Sequence, residues 1–121
     1  MVAAPTMSLP EDMGGERNWD YRYCWLRDAA LTLEALLVAG YSDKAAAWRD
    51  WLLRAVAGDP AKMQIMYRVD AGHDLPERTL DHLPGYADSQ PVHLGNGAVD
   101  QRQIDVLGEV MVALEMARGW G

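Results

Sequence analysis

Phenylalanine is absent from this sequence of 121 residues, and cysteine occurs once, as Cys24. A single thiol excludes any disulfide within the chain and fits a reducing compartment. Positive charge is scarce: eleven Lys and Arg stand against eighteen Asp and Glu, a formal net charge of −7. Phosphate recognition relies on cationic side chains and released counterions, so nucleic acid is not an expected partner. An anionic membrane surface is a poor match for the same reason. No apolar run approaches the roughly 20 residues that span a bilayer. The opening "MVAAPTMSLPED" has no basic n-region and no apolar h-region, so no secretory leader is read there and the cytoplasm is the expected location.

What is present is half apolar, enough to build one small core, and rich in two aromatic residues, with five Trp and five Tyr. Both combine an apolar face with a polar tip, which suits contact with polar, ring-shaped ligands. The aromatics concentrate in "ERNWDYRYCWLRDAALTLEALL", residues 16–37, where they alternate with Arg and Asp. A core alone does not need that mixture.

Residues 1–17, with Pro5, Pro10, Gly14 and Gly15, read as an extended loop. Asp28 is a suitable N-cap for a first helix over "AALTLEALLVA", which is apolar on nearly every side and stops at Gly40. Ser42 is a suitable cap for a second helix with Trp48, Trp51, Leu52, Ala55 and Val56 on one stripe. The short connection predicts an antiparallel hairpin, and "GDP" at 58–60 ends it. Met63, Ile65, Tyr67 and Val69 alternate as in a strand, and "DAG" at 70–72 reads as a turn. A long irregular excursion follows from His73 to Gly97, with a second short strand near Val92 and Leu94. The third helix is predicted from about Asp100, with Gln103 in a capping box and Ile104, Leu107, Met111 and Leu114 repeating at helical spacing. Three helices, a short hairpin and a long loop leave the first helix with more apolar surface than its neighbours can cover. The expected architecture is therefore mainly α and a piece of something larger, with self-association as the other way to cover that surface.

"AAPTMSLPE", "GGERNWDYRYCWLRDAALTLEAL", "QIMYRVD", "DLPERTLDHLPGY" and "GNGAVDQRQIDVLGEV" follow one another in order and at family spacing. Together they resemble bacterial members of glycoside hydrolase family 15, which includes glucoamylases, glucodextranases and certain trehalases. The resemblance implies a partial (α/α)6 barrel, with residues 1–121 an internal fragment of the catalytic domain and no second domain. It implies an inverting α-glucosidic hydrolase whose ligand is an α-glucan end or trehalose.

The same resemblance implies that Arg27 and Asp28 bind hydroxyls of the terminal glucose. Guanidinium offers fixed donors and carboxylate offers acceptors, so an adjacent pair can grip neighbouring hydroxyls that do both. The plain alternative is a capping Asp beside an Arg in an ordinary ion pair. Tyr21 and Trp25 match an aromatic pair that lines the same pocket, against the alternative of core packing. Gln103 and Asp105 match a polar pair bordering it, against a capping Gln and a solvated Asp. The fungal glucoamylases carry Trp and Arg where this chain has Val99 and Gln101. Trp19, Tyr23 and Cys24 are read as packing residues, and Asp20 is given no role.

An inverting glycosidase needs one carboxylic acid and one carboxylate base. The family's two glutamates lie in motifs not found here, and Glu11, Glu16, Glu34, Glu77, Glu109 and Glu115 match neither. No catalytic residue is assigned, and the chain alone is expected to be inactive. No cofactor or metal is expected: His73, His82 and His93 fit no ordinary zinc spacing. "GNGAVD" lacks the third glycine of a dinucleotide loop. A rival reading is a non-catalytic carbohydrate-binding or regulatory module on the same fold.

Overall fold

Leu26, Ala29, Ala30, Leu33 and Leu37 recur at helical spacing and form the buried stripe of helix α1, Leu26–Val38. The computed structural model that shows this describes residues 1–119. Helix α2, Ser42–Ala55, buries Ala45, Trp48, Leu52 and Ala55. Helix α3, Asp105–Gly119, buries Val106, Val110, Ala113 and Ala117. α1 packs chiefly on α3 and less extensively on α2. The α3 side of the shared core is built from alanines and valines, and small side chains let two helix backbones approach closely. Each leucine sealed in this core contributes about 1.5–3 kcal/mol relative to exposure.

Helix α1 begins two residues before its expected cap. Trp25 occupies the cap position without a side-chain hydrogen bond, and Asp28 lies in the first turn. The N–H of Leu26 instead donates to the Ile65 carbonyl at 2.9 Å, so a neighbouring strand end does the work of the cap. Asp28 still favours the helix N-terminus electrostatically, but its carboxylate is not tied down by capping. Ser42 likewise is helical, with Tyr41 in the cap position. The stop at Gly40 is as expected. Its φ of +83° is open only to glycine at low cost. The N–H groups of Gly40 and Tyr41 donate to Leu37 and Leu36, closing a Schellman turn.

Two small antiparallel sheets flank the helices. β1, Cys24–Trp25, pairs with β2, Met66–Tyr67, in the register Cys24 to Tyr67 and Trp25 to Met66. The alternation expected over 62–69 is not realised: Ile65, Met66 and Tyr67 are all buried, and Val69 is exposed. Pairing with a two-residue partner limits the strand, and the "DAG" turn reverses the chain, with Arg68 donating its N–H to the Gly72 carbonyl. β3, Arg78–Thr79, pairs with β4, His93–Leu94, so the long excursion closes on itself as a hairpin. The N-terminal segment runs antiparallel to the aromatic motif, with Ala3, Ala4 and Ser8 donating to the carbonyls of Tyr23, Tyr21 and Trp19.

Helix α3 departs most from expectation. It starts at Asp105 rather than near Asp100, because Gly97–Asp100 form a separate 3-10 turn capped by Asn96. Its period is as expected, but the fully buried residues lie on the stripe next to the apolar repeat of Ile104, Leu107, Met111 and Leu114, of which Leu114 is partly buried against the core. Ile104 and Met111 are 88% and 68% exposed, and Leu107 is also open to solvent, while the smaller Val and Ala positions face α1. On α1, Leu31 and Val38 are exposed as well. The apolar surplus foreseen for α1 is thus shared by α3. No described helix is long and apolar enough to cross a membrane.

Gly95 holds the β3–β4 hairpin against the preceding loop. Its φ is +84°, and an added Cβ would collide with the Pro76 carbonyl oxygen. Gly108, in contrast, sits in α3 with open space at its Cβ position. We predict that Gly95→Ala costs about 2 kcal/mol or more. Gly108→Ala should add about 0.5–1 kcal/mol through helix propensity. Chemical denaturation of the two variants beside the parent checks both signs.

Candidate functional site

The aromatic motif is organised by Asp20, a carboxylate with no solvent exposure. Its Oδ1 accepts from the backbone N–H and Nε of Arg22 at 3.2 and 2.9 Å. Its Oδ2 accepts from Arg22 Nη2 at 2.9 Å, Tyr23 Oη at 3.1 Å and the Gly95 N–H at 3.1 Å. Its backbone carbonyl accepts from Asn96 Nδ2 at 3.1 Å. Burial pushes the Asp20 carboxyl upward, but donation from the Arg22 side chain and from the Arg22 and Gly95 backbone outweighs it, leaving the group below its ordinary value. Burial and the adjacent carboxylate raise the Tyr23 phenol. At neutral pH the pair is therefore an anion and a neutral hydroxyl.

A second anchor lies beside it. His93 is buried, and its Nδ1 lies 2.7 Å from the Asn18 carbonyl, which can only accept. Nδ1 therefore carries the proton, and Nε2 faces Glu77 at 4.0 Å. Trp19 stacks on the imidazole at 5.3 Å. Glu77 accepts from the Gly97 N–H, which makes "LPER" a structural loop. These two anchors fix the segment 93–97 against 18–23 and so aim the following chain, 101–105, at the start of α1.

There Arg27 meets its distant partners. Its Nη1 donates to Gln103 Oε1 at 3.0 Å and to Asp105 Oδ2 at 3.3 Å, across 76 and 78 residues of chain. Its Nη2 lies 3.6 Å from Asp28 Oδ2. Gln103 Nε2 donates in turn to Gln101 Oε1 at 3.1 Å. Four of the six expected site residues thus form one cluster. Tyr21 and Trp25 form a separate pair, ring centroids 5.9 Å apart and tilted by 49°, with Trp25 buried and Tyr21 half-buried. No hydrogen bond joins the two groups among the described residues. Gln103 does not cap α3; its acceptor is taken by Arg27.

The Arg27, Asp28 and Asp105 side chains keep 40%, 53% and 49% of their exposure. Ion pairs that open to water are worth under about 1 kcal/mol each, so polar ligand groups can replace them at little cost. Gln103 and Gln101 also line a cleft of about 310 Å³ walled by Met63, Ile65 and Leu107. The cluster offers guanidinium and amide donors beside carboxylate and amide acceptors, a set suited to neighbouring hydroxyls.

A glycosyl hydrolases family 15 model matches residues 1–117. The chain belongs to that family. Family 15 relatives include the trehalase of Thermoplasma acidophilum, 47% identical over 114 residues, covering 94% of this chain and 19% of that protein. The trehalase of Thermoplasma volcanium is 46% identical over 122 residues, covering 100% of this chain and 19% of that protein. The trehalase of Mycolicibacterium smegmatis is 43% identical over 114 residues, covering 92% and 17%. The chain spans about one fifth of the length of the curated relatives it matches. No solved structure matches it.

Sequence reasoning passed over Asp20, Asn96 and Gln101. Asp20 stood inside the motif, but an acidic residue between two aromatics carries no sign that it will be sealed from water. The histidines are dispersed: His73 meets Tyr67 edge-on, and His93 stacks with Trp19. No group of three metal-binding side chains occurs among the described residues. Cys24 is buried, in keeping with a packing role.

Asp20 has a depressed folded value, so the folded state binds fewer protons than the unfolded one just below pH 4, and stability rises with pH there. Its contribution is complete above the unfolded carboxylate value and is lost as pH falls through the folded one. Asp20→Asn places an NH2 against existing donors and should cost about 2 kcal/mol or more at pH 7. The gap between variant and parent should narrow below about pH 4. Urea melts across pH 3–7 read both effects, and a gap constant with pH contradicts the assignment.

Proposed function

We propose that this chain supplies part of the terminal-glucose pocket of an inverting α-glucosidic hydrolase, acting on trehalose or the non-reducing ends of α-glucans. One observation carries the reading. Arg27 gathers its neighbour Asp28 with Gln103 and Asp105, 76 and 78 residues away, all of which the family resemblance assigns to one sugar unit. The relatives' names favour trehalose between the two substrates. Tyr21 and Trp25 offer the aromatic face for the apolar side of the ring. The resemblance further implies an (α/α)6 barrel, in which the exposed apolar faces of α1 and α3 are covered by other helices.

Hydrolysis with inversion needs an acid on the leaving oxygen and a base on the attacking water, roughly 6.5–9.5 Å apart. Three of this chain's six glutamates are engaged elsewhere. Glu11 pairs with Arg17, Glu115 with Arg118, and Glu77 with the Gly97 N–H. The role of Arg27 and its partners is accordingly to bind and orient the terminal ring while carboxyl groups elsewhere in the hydrolase move the protons.

Calorimetric titration with glucose and trehalose tests the pocket. Arg27→Ala is expected to weaken binding at least about tenfold, the worth of one charge-assisted hydrogen bond. Binding unchanged by the substitution refutes the role. The purified chain is expected to release no glucose from trehalose or maltose above a buffer blank. Release that scales with protein concentration would show that the acid and base lie within these residues after all.

A further inference from the structure

A second cleft lies on the other side of the aromatic motif, outside the Arg27 cluster. Tyr23, Arg68, Asp74, Pro76, Arg78 and Leu94 line a cavity of about 290 Å³. A neighbouring cavity of about 470 Å³ shares Tyr23 and Arg68 and adds Arg22 and Asp70. The two form one groove, of the size that small ligands occupy.

The charges in this groove decide what it takes. Three arginines face it, which by itself suggests an anion. Arg22, however, is held by Asp20 at 2.9 Å and Arg68 by Asp70 at 2.9 Å. Of the charged residues lining the groove, Arg78 and Asp74 make no ion pair or side-chain hydrogen bond with any of the described residues. One free cation and one free anion leave the groove close to neutral, so a phosphate or carboxylate gains little there. A neutral ligand that both donates and accepts gains from both groups. Tyr23, Pro76 and Leu94 supply an apolar wall between them. Tyr23 is fixed in place, since its hydroxyl is spent on Asp20 and its ring is left to pack. Gly95 lets the wall close: with a Cβ there, the Pro76 loop could not approach.

We propose that the Tyr23 groove is a second saccharide-binding site, taking one neutral glycosyl unit through Arg78 and Asp74 with its C–H face on Tyr23. It stands on its own lining and does not require the Arg27 cluster to bind sugar.

The test is a nitrogen-15 correlation spectrum of the chain, titrated separately with maltotriose, trehalose and inorganic phosphate. With either saccharide, the amides of Tyr23, Arg68, Leu75, Arg78 and Gly95 should shift saturably. The Asp74→Ala/Arg78→Ala variant should weaken that response at least about tenfold. Arg27→Ala should leave it unchanged, and the same spectra show that each variant is folded. Asp74→Ala alone, in a loop, should weaken it in the same direction if the double variant does not fold. Cleft amides that stay still with both saccharides, that respond only to phosphate, or that respond equally in a folded Asp74 variant overturn the proposal. Failure of the terminal-glucose reading is seen separately, in the amides of Arg27, Gln103 and Asp105.

Discussion

A carboxylate sealed from water has to be matched by donors, and most of this structure's long-range order follows from how Asp20 is matched. Leaving a buried charge unpaired costs several kcal/mol, so its position is tolerated only where guanidinium, phenol and backbone N–H converge. Two of those donors, Arg22 and Tyr23, are local. The Gly95 N–H comes from 75 residues away. That bond and the Asn96 side chain bind the end of the β3–β4 hairpin to the aromatic motif. From there only a 3-10 turn and a few residues separate the hairpin from Gln103 and Asp105, so the meeting at Arg27 is set by an anchor that never touches it.

Local and periodic features of the fold were legible in the sequence. The Gly40 stop, the "DAG" turn and a strand near Leu94 appear where residue pattern placed them, and so do three helices, with the starts of α1 and α3 displaced. Legibility failed where the deciding partner was remote. Asp28 looks like a cap, but the Ile65 carbonyl had already satisfied the first N–H of α1. Met63, Ile65, Tyr67 and Val69 alternate, but a two-residue partner strand cannot extend that pairing. On α3 the larger apolar residues Ile104, Leu107, Met111 and Leu114 mark the helical period, whereas the residues it seals are Val106, Val110, Ala113 and Ala117. Periodicity reports that a helix has faces; it does not report which face meets a neighbour when both are apolar.

The candidate site shows the same division. Arg27, Asp28, Gln103 and Asp105 were named through family resemblance, and their convergence is geometric. Nothing in their spacing foretells it. Gln101 joins them only through the Gln103 amide, a link that needs coordinates to be seen. The anchors beneath, Asp20 and His93, carry little signature because a buried polar residue and an exposed one are written with the same letter.

The bond from Gly95 to Asp20 also bears on how such a chain is made. A ribosome delivers residues in order, so the aromatic motif emerges with its own carboxylate still hydrated and Gly95 not yet synthesised. Closing a loop of that span is entropically slow, and nothing rewards it until both ends exist. Until Gln103 and Asp105 have been made, the nascent segment can hold helices α1 and α2 but not the cluster around Arg27. Assembly of the Arg27 cluster therefore follows the making of the hairpin rather than the folding of helices α1 and α2.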